Sequence, residues 1–140
     1  MLIDSNILVY SINSISPKYK RAQIFLQENL GNLDIAHQNI LESIRILTHP
    51  KFTNPMKIKD ALEAVLNIVK GCNVISPNYQ TVYITLELIR KYKMSSDQVF
   101  DAYIAATAIS NDIDTIATDN EKDFKKFSEI TVHNPFRVEN

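Results

Sequence analysis

Residues 2–10 read Leu2-Ile3-Asp4-Ser5-Asn6-Ile7-Leu8-Val9-Tyr10, two apolar runs with a polar, turn-forming group between them. The first run ends at the carboxylate of Asp4, which is typical of a short strand that leads directly into a turn. A β-branched run, Thr115-Ile116-Ala117-Thr118, ends in the same way at Asp119. If both runs are strands of one parallel sheet, both carboxylates lie at the carboxyl edge of that sheet.

Helical and extended patterns alternate along the rest of the chain. Apolar spacing predicts helices that begin near Pro17, Ile40, Met56, Val82 and Asp97. Short apolar runs between them predict further strands at residues 33–36, 73–76 and 130–133. This alternation predicts an α/β fold, a three-layer α/β/α sandwich around a mostly parallel sheet. A ligand crevice is then expected at the carboxyl ends of the strands.

The same periodicity predicts which side chains are buried. We expect Ile58 and Leu62 to face the core from the helix near Met56, and Phe100 to do so from the last helix. Asp97 or Ser96 is expected to cap that last helix, and the strand at residues 73–76 is expected to be buried. Small residues in the last helix would allow it to pack closely on the sheet. These residues are Ala102, Ala105, Ala106 and Ala108.

Composition narrows the class of protein. A chain of 140 residues with 45% hydrophobic content suits one domain spanning residues 1–140. Fifteen basic and sixteen acidic residues give a net charge of −1, so any contact with nucleic acid must use a local basic patch. One cysteine excludes an internal disulfide, and no apolar run approaches the roughly 18 residues of a membrane span, so we expect a cytoplasmic protein. Two glycines are too few for glycine-rich phosphate loops.

Four carboxylates are expected near one crevice. Asp4 and Asp119 follow strands, whereas Glu42 and Asp101 lie on helices, at or near their first turns. Converging carboxylates repel each other, so a cation must balance them. Oxygen ligands without clustered Cys or His favour Mg²⁺ or Mn²⁺, and such a site can hydrolyse a phosphodiester. For any single Asp, a role as a surface acid or helix cap is the commoner interpretation.

The order and spacing of several blocks provide a resemblance to a known family. The blocks are Leu2-Ile3-Asp4-Ser5-Asn6-Ile7-Leu8-Val9-Tyr10, Asn39-Ile40-Leu41-Glu42-Ser43-Ile44-Arg45-Ile46-Leu47-Thr48-His49-Pro50, Asp101-Ala102-Tyr103-Ile104-Ala105-Ala106-Thr107-Ala108, Ala117-Thr118-Asp119 and Asn134-Pro135-Phe136. Together they resemble the PIN-domain family, and more closely the VapC-type toxins of prokaryotic toxin–antitoxin pairs. The resemblance extends from residue 2 to residue 136.

The resemblance implies a function and a set of site residues. It implies a compact α/β/α sandwich and a Mg²⁺- or Mn²⁺-dependent endoribonuclease that is neutralised by a cognate antitoxin laid across the active-site groove. It places the metal-binding acids at Asp4, Glu42, Asp101 and Asp119. A homodimer is a further expectation. The chain departs from the family pattern after Asp119, so Asp123 competes with Asp119 for the fourth position.

Other residues are candidates for supporting roles. Asn6 and Thr118 are positioned to orient the metal ligands, although Asn6 could equally form an Asx-turn. Arg45 could contact the scissile phosphate or pair with Glu42 at i,i+3. Short basic groups could contact phosphates, or could simply be solvated. These groups are Lys18, Lys20 and Arg21; Lys51 and Lys57; and Lys122, Lys125 and Lys126.

Alternative functions have weaker support in the sequence. A receiver domain needs a phosphoacceptor Asp at the end of a central strand, but Asp60 lies in a helical pattern. A phosphohydrolase with an Asp-x-Asp motif is disfavoured because Asn6 stands where the second Asp would be. The remaining alternative is a PIN fold that has lost catalysis and serves as an interaction protein.

Overall fold

The computed structural model describes residues 1–138 and contains a five-stranded sheet. Its strands are β1 (Leu2–Ile3), β2 (Asp34–Ala36), β3 (Asn73–Ile75), β4 (Thr115–Ala117) and β5 (Thr131–His133). The helices are α1 (Ser5–Ile12), α2 (Tyr19–Glu28), α3 (His37–Thr48), α4 (Ile58–Val69), α5 (Thr81–Tyr92) and α6 (Gln98–Ser110), and Glu121–Asp123 forms a 3₁₀ turn. The strand order is β3-β2-β1-β4-β5, and all four strand pairings are parallel. The predicted α/β class is therefore confirmed.

The helices cover both faces of the sheet. Side chains alternate along each strand, so Leu2 and Ile116 pack with α5 and α6, whereas Ile3 and Ala117 pack with α1 to α4. Leu2, Ile3, Ile116 and Ala117 are all completely buried in the two central strands. The three-layer sandwich predicted from the sequence is the observed architecture.

The strand order creates a crevice beside β1. The chain runs from β1 outward to β2 and β3, and then returns to β4 on the opposite side of β1. The loops that follow β1 and β4 therefore diverge at the carboxyl edge, where ligands bind in open parallel sheets. The backbone N–H of Asp4 donates to the carbonyl of Ala117 at 2.9 Å, which fixes the two strand ends side by side.

Helix α6 lies closely on the sheet because its buried face is made of small residues. Ala102, Ala105, Ala106 and Ala108 are all completely buried. The backbone of α6 can therefore approach β2 and β4 without steric conflict. The close packing predicted for this helix is confirmed.

Three burial predictions were wrong. Ile58 is 66% exposed and Leu62 is also exposed, because α4 is an outer helix that packs on α1 and α3 mainly through Ala61 and Val65. Phe100 is 59% exposed because it lines a groove instead of the core. Amphipathic spacing identified these helices but overestimated the width of their buried faces.

The predicted start of α2, the predicted cap of α6 and the predicted burial of one strand also need correction. Helix α2 begins at Tyr19 instead of Pro17, with Lys18 as its N-cap. Asp97 occupies the N-cap position of α6, but its side chain makes no capping hydrogen bond. Strand β3 pairs only with β2, so it is an edge strand and Val74 is exposed.

One turn is formed without glycine. Asp112 adopts a left-handed conformation, with φ of 59°, before β4. Asp tolerates this region better than most residues, so the tight connection is retained. None of the helices in residues 1–138 has the length and hydrophobicity that a membrane span requires.

Candidate active site

Asp4 is held rigidly at the junction of β1 and α1. Its carboxylate accepts hydrogen bonds from the Ser5 N–H at 2.8 Å and from the Thr118 hydroxyl at 2.8 Å. The side-chain amides of Asn6 and Asn39 each donate to it at 3.4 Å. Only 7% of Asp4 is exposed. The strand-to-helix switch encoded by residues 2–10 therefore presents one preoriented carboxylate to the crevice.

Burial raises the pKa of Asp4 above its ordinary value. The hydrogen bonds from Thr118 and Ser5 act in the opposite direction because they stabilise the ionised form. The negative charges of Glu42 and Asp123 raise the pKa further. Glu42 and Asp123 are therefore close enough for their charges to act on the Asp4 carboxyl.

A groove of about 1250 Å³ is lined by three acids whose charges interact with that of Asp4. Its walls carry Glu42 from α3, Asp101 from the first turn of α6 and Asp123 from the 3₁₀ turn. Asp101 lies in the first turn, as predicted, whereas Glu42 is in the second turn of its helix. Four elements that are distant in sequence thus contribute acids to one place.

The pKa of Asp101, on the groove wall, is also strongly raised. Burial, followed by repulsion from Asp123 and Asp4, raises its pKa to about 7. The positive charge of Lys126 lowers the pKa in part, and Glu42 raises it slightly. Such mutual repulsion is relieved by binding a cation or a proton.

Asp119 has a different environment. Its carboxylate accepts a hydrogen bond from the Tyr10 hydroxyl at 2.9 Å and forms an ion pair with Lys18. Although burial alone would raise the pKa of Asp119, the hydrogen bonds from Lys18 and Tyr10 outweigh it and hold the pKa below its ordinary value. The charge of Asp119 is thus already balanced by the protein. Lys18, a candidate phosphate contact in the sequence, serves this ion pair.

Asn6 and Thr118 connect the two strand ends at the site. The side-chain amide of Asn6 donates to the Thr118 hydroxyl at 3.1 Å, and the backbone N–H of Asp119 donates to the side-chain Oδ1 of Asn6 at 3.3 Å. With their bonds to Asp4, these contacts place both residues where supporting roles were predicted. Arg45 lies 3.7 Å from Glu42 as an exposed i,i+3 ion pair on the groove wall.

Asn39 is a functional candidate that the sequence argument did not single out. It is completely buried, and its amide donates to Asp4, while its side-chain oxygen has no hydrogen-bond partner among residues 1–138. Its position three residues before Glu42 was a usable signal, because i and i+3 lie on neighbouring positions of a helix. Asn39 links the helix that carries Glu42 to the carboxylate of Asp4.

The donor set of the groove suits a hard divalent cation. Within residues 1–138, no group of three or more His, Cys, Asp or Glu side chains is already arranged to enclose a metal ion. Mg²⁺ characteristically takes one or two carboxylates and keeps several waters, so it does not need such a cage. Oxygen-only donors and carboxyls with raised pKa values are consistent with this type of ion.

Comparison with known proteins identifies the family. The PIN domain family model matches residues 1–130, so the chain belongs to the PIN domain family. Among curated relatives, Ribonuclease VapC24 from Mycobacterium tuberculosis, in the strains CDC 1551 and H37Rv, is 27% identical over 137 residues. That alignment covers 95% of this chain and 94% of the relative.

Solved structures share the same fold. VapBC2 from Rickettsia felis, bound to a DNA fragment from its promoter, superposes with a TM-score of 0.73 at 20% identity, covering 95% of this chain and 96% of the other. Mycobacterium tuberculosis VapC20, a toxin that cleaves the sarcin–ricin loop, has a TM-score of 0.67 at 14% identity, covering 92% and 97%. At these identities the likeness establishes the fold alone.

Proposed function

We propose that this protein is a metal-dependent endoribonuclease and the toxin component of a type II toxin–antitoxin pair. The observation that carries the proposal is the convergence of Asp4, Glu42, Asp101 and Asp123 at one groove of a PIN fold. The full-length relative named Ribonuclease VapC24 supports RNA as the substrate. Nearly complete coverage on both sides makes a shared activity the simplest interpretation.

The residues that would hold the metal are the carboxylates of the groove. When bound, Mg²⁺ or Mn²⁺ supplies an activated water and stabilises the charge that develops on the phosphoryl oxygens. Thr118, Ser5 and Asn6 fix the orientation of the Asp4 carboxylate toward the crevice. Burial and repulsion from neighbouring acids raise the pKa of Asp101 to about 7, so its carboxyl would give up a proton near neutral pH if it held a metal ion.

We assign the fourth acid to Asp123. Its charge acts on both Asp4 and Asp101, whereas Asp119 is neutralised by Lys18. The family resemblance placed the fourth acid at Asp119, with Asp123 as the competing position. In the present proposal Asp119 instead anchors the loop after β4 through Lys18 and Tyr10.

The proposed function also includes a protein partner, a cognate antitoxin. Several solved PIN-fold neighbours are toxin–antitoxin complexes, including one from Klebsiella pneumoniae with a TM-score of 0.70. We expect a cognate antitoxin that covers the groove, a cytoplasmic location where RNA and antitoxin meet, and a homodimer. Exposed apolar side chains such as Leu66 on α4 and Leu86 on α5 provide surface for self-association.

The decisive experiment couples metal binding to RNA cleavage. Mn²⁺ titration by calorimetry and digestion of a mixed RNA pool would be run on wild type, Asp101→Asn and Asp4→Ala. Asp60→Asn, a change at an exposed acid on α4, is the matched control. We expect both signals to be lost in the two groove variants and retained in the control. A wild type that binds no Mn²⁺ and leaves RNA intact would instead identify a PIN-fold interaction protein.

A further inference from the structure

Two large apolar side chains are exposed in the groove. Phe100 is 59% exposed in the first turn of α6, and Leu41 is 67% exposed on α3. Both line the groove that contains the acids. Each directly precedes a proposed metal ligand, Asp101 in one case and Glu42 in the other. The two walls therefore share one pattern, an apolar side chain followed by a carboxylate.

Core packing does not account for the position of Phe100. Helix α6 is anchored to the sheet through its buried alanines and Ile104, and these contacts do not include the exposed ring. Exposed apolar side chains that share one groove, as Phe100 and Leu41 do, are typical of a ligand-binding surface. An aromatic ring is also rigid and flat, so it loses little conformational freedom when a planar partner stacks on it.

We propose that Phe100, with Leu41, forms a stacking platform for an unpaired nucleobase of the RNA, placing the adjoining phosphodiester at the acids. This inference rests on the proposed ribonuclease function and specifies the substrate as single-stranded at the cut. Bases in a duplex are stacked within the helix and cannot reach the ring, whereas unpaired bases stack readily on aromatic side chains.

With a metal ion bound at the acids, the charges of the groove would favour RNA over an apolar protein segment as the occupant of this platform. A single strand alternates a planar base with an anionic phosphate, and the groove walls alternate an apolar side chain with a metal-binding acid. Arg45 lies on the same wall as Glu42, and Lys126 is close enough to act on Asp101. Both cations can neutralise phosphates that flank the stacked base.

The test combines protein variants with base removal. Cleavage kinetics in Mg²⁺ would be measured for Phe100→Ala, Phe100→Leu and Phe100→Tyr on a single-stranded RNA oligonucleotide that the wild type cuts. The same oligonucleotide would also be used with each nucleotide in turn made abasic. Tyr79→Ala, a change at an exposed aromatic residue outside the groove, is the matched control. Mn²⁺ calorimetry checks that each variant keeps its metal site.

We expect Phe100→Ala to lower kcat/KM by about 5- to 100-fold through KM, with Tyr restoring it and Leu restoring it only partly. One abasic position should weaken wild-type cleavage to a similar extent and have no additional effect in Phe100→Ala. Equal cleavage by Phe100→Ala and wild type, or additive effects at every abasic position, would overturn the inference. If that variant lost only affinity for the antitoxin, the platform would be a protein-docking surface. A wild type that cuts no RNA would refute the proposed function itself.

Discussion

Burial and the charges of neighbouring acids together strongly raise the pKa of Asp101. In the folded protein without metal its carboxyl keeps a proton up to about pH 7, whereas in the unfolded chain it ionises near 3.8. Between these two pH values the unfolded state binds fewer protons than the folded state. The free energy of unfolding therefore falls as the pH rises from about 4 to 7. Burial of Asp4 acts in the same direction.

This linkage predicts the pH dependence of stability. With a chelator present, we expect the Tm to fall between pH 5 and pH 8, and Asp101→Asn to flatten that fall. At pH 8 the variant should melt about 3 to 5 °C above wild type, the shift for about 1 kcal/mol after allowance for solvent screening. Thermal melts followed by circular dichroism would measure this. An unchanged slope in the variant would show that Asp101 is not the titrating group.

The fourth acid can be tested by a matched pair of variants. Asp123→Asn should weaken Mn²⁺ binding at least tenfold and abolish RNA cleavage with little effect on stability. Asp119→Asn should keep metal binding but lower the free energy of unfolding by about 1 kcal/mol, since the partly exposed Lys18 loses its partner. Calorimetry and urea unfolding separate the two outcomes. The reverse pattern would restore Asp119 to the metal site.

At the residue scale, the sequence predicted positions better than side-chain directions. Asp4 could be placed because a two-residue strand followed by a turn leaves little freedom for the next side chain. Asp119 could not, because its direction depends on Lys18, which is 101 residues earlier in the chain. Local patterns do not encode a contact of that range. The contact of Asn39 with Asp4 spans 35 residues and was missed as well, although the spacing of Asn39 from Glu42 gave a local signal for its position.

Helix α6 is the element on which the geometry of the groove depends. Because Ala105 is completely buried between the helix and the sheet, Ala105→Leu should overpack this layer and lower the free energy of unfolding by about 1 to 3 kcal/mol. Ala64→Leu at a partly exposed position of α4 is the control. Urea unfolding would compare them. Equal effects would show that the loss came from helix propensity or surface change instead of packing at the sheet.

At the element scale, the five strands and helices α2 to α6 followed in order from the sequence pattern, but helix α1 and the exposure of individual side chains did not. Strands of two or three residues carry too little pattern to reveal which of them is at an edge, so β3 was expected to be buried. The apolar stripe of α4 is wider than the surface that α1 and α3 offer it, which leaves Ile58 in solvent. In the sequence, an apolar residue that serves function or assembly shows the same helical spacing as a residue of the core.

On the scale of the whole molecule, the C-terminal segment closes the fold against its beginning. The ring of Phe136 packs edge-on against Tyr10 at 5.3 Å, and Lys18 lies over both rings. The Arg21 side chain donates to the carbonyl of Pro135 at 2.9 Å. These contacts connect α1 and α2 to residues more than 100 positions later.

We therefore expect Phe136→Ala to lower the free energy of unfolding by about 1 to 2 kcal/mol, because it removes a partly buried aromatic pair and a cation–π contact. Val138→Ala, at a position that is largely exposed, should have almost no effect. Urea denaturation of both variants would measure the difference. If both variants were as stable as wild type, the C-terminal segment would contribute little to the fold.

The central place of β1 in the sheet also determines when the protein becomes active during its own synthesis. The N-terminal strand lies between β2 and β4, and the Asp4 N–H needs the carbonyl of Ala117. Such pairing between the two ends of a chain cannot form until the later strand has been made. A nascent chain therefore lacks the assembled groove until most of its length has left the ribosome.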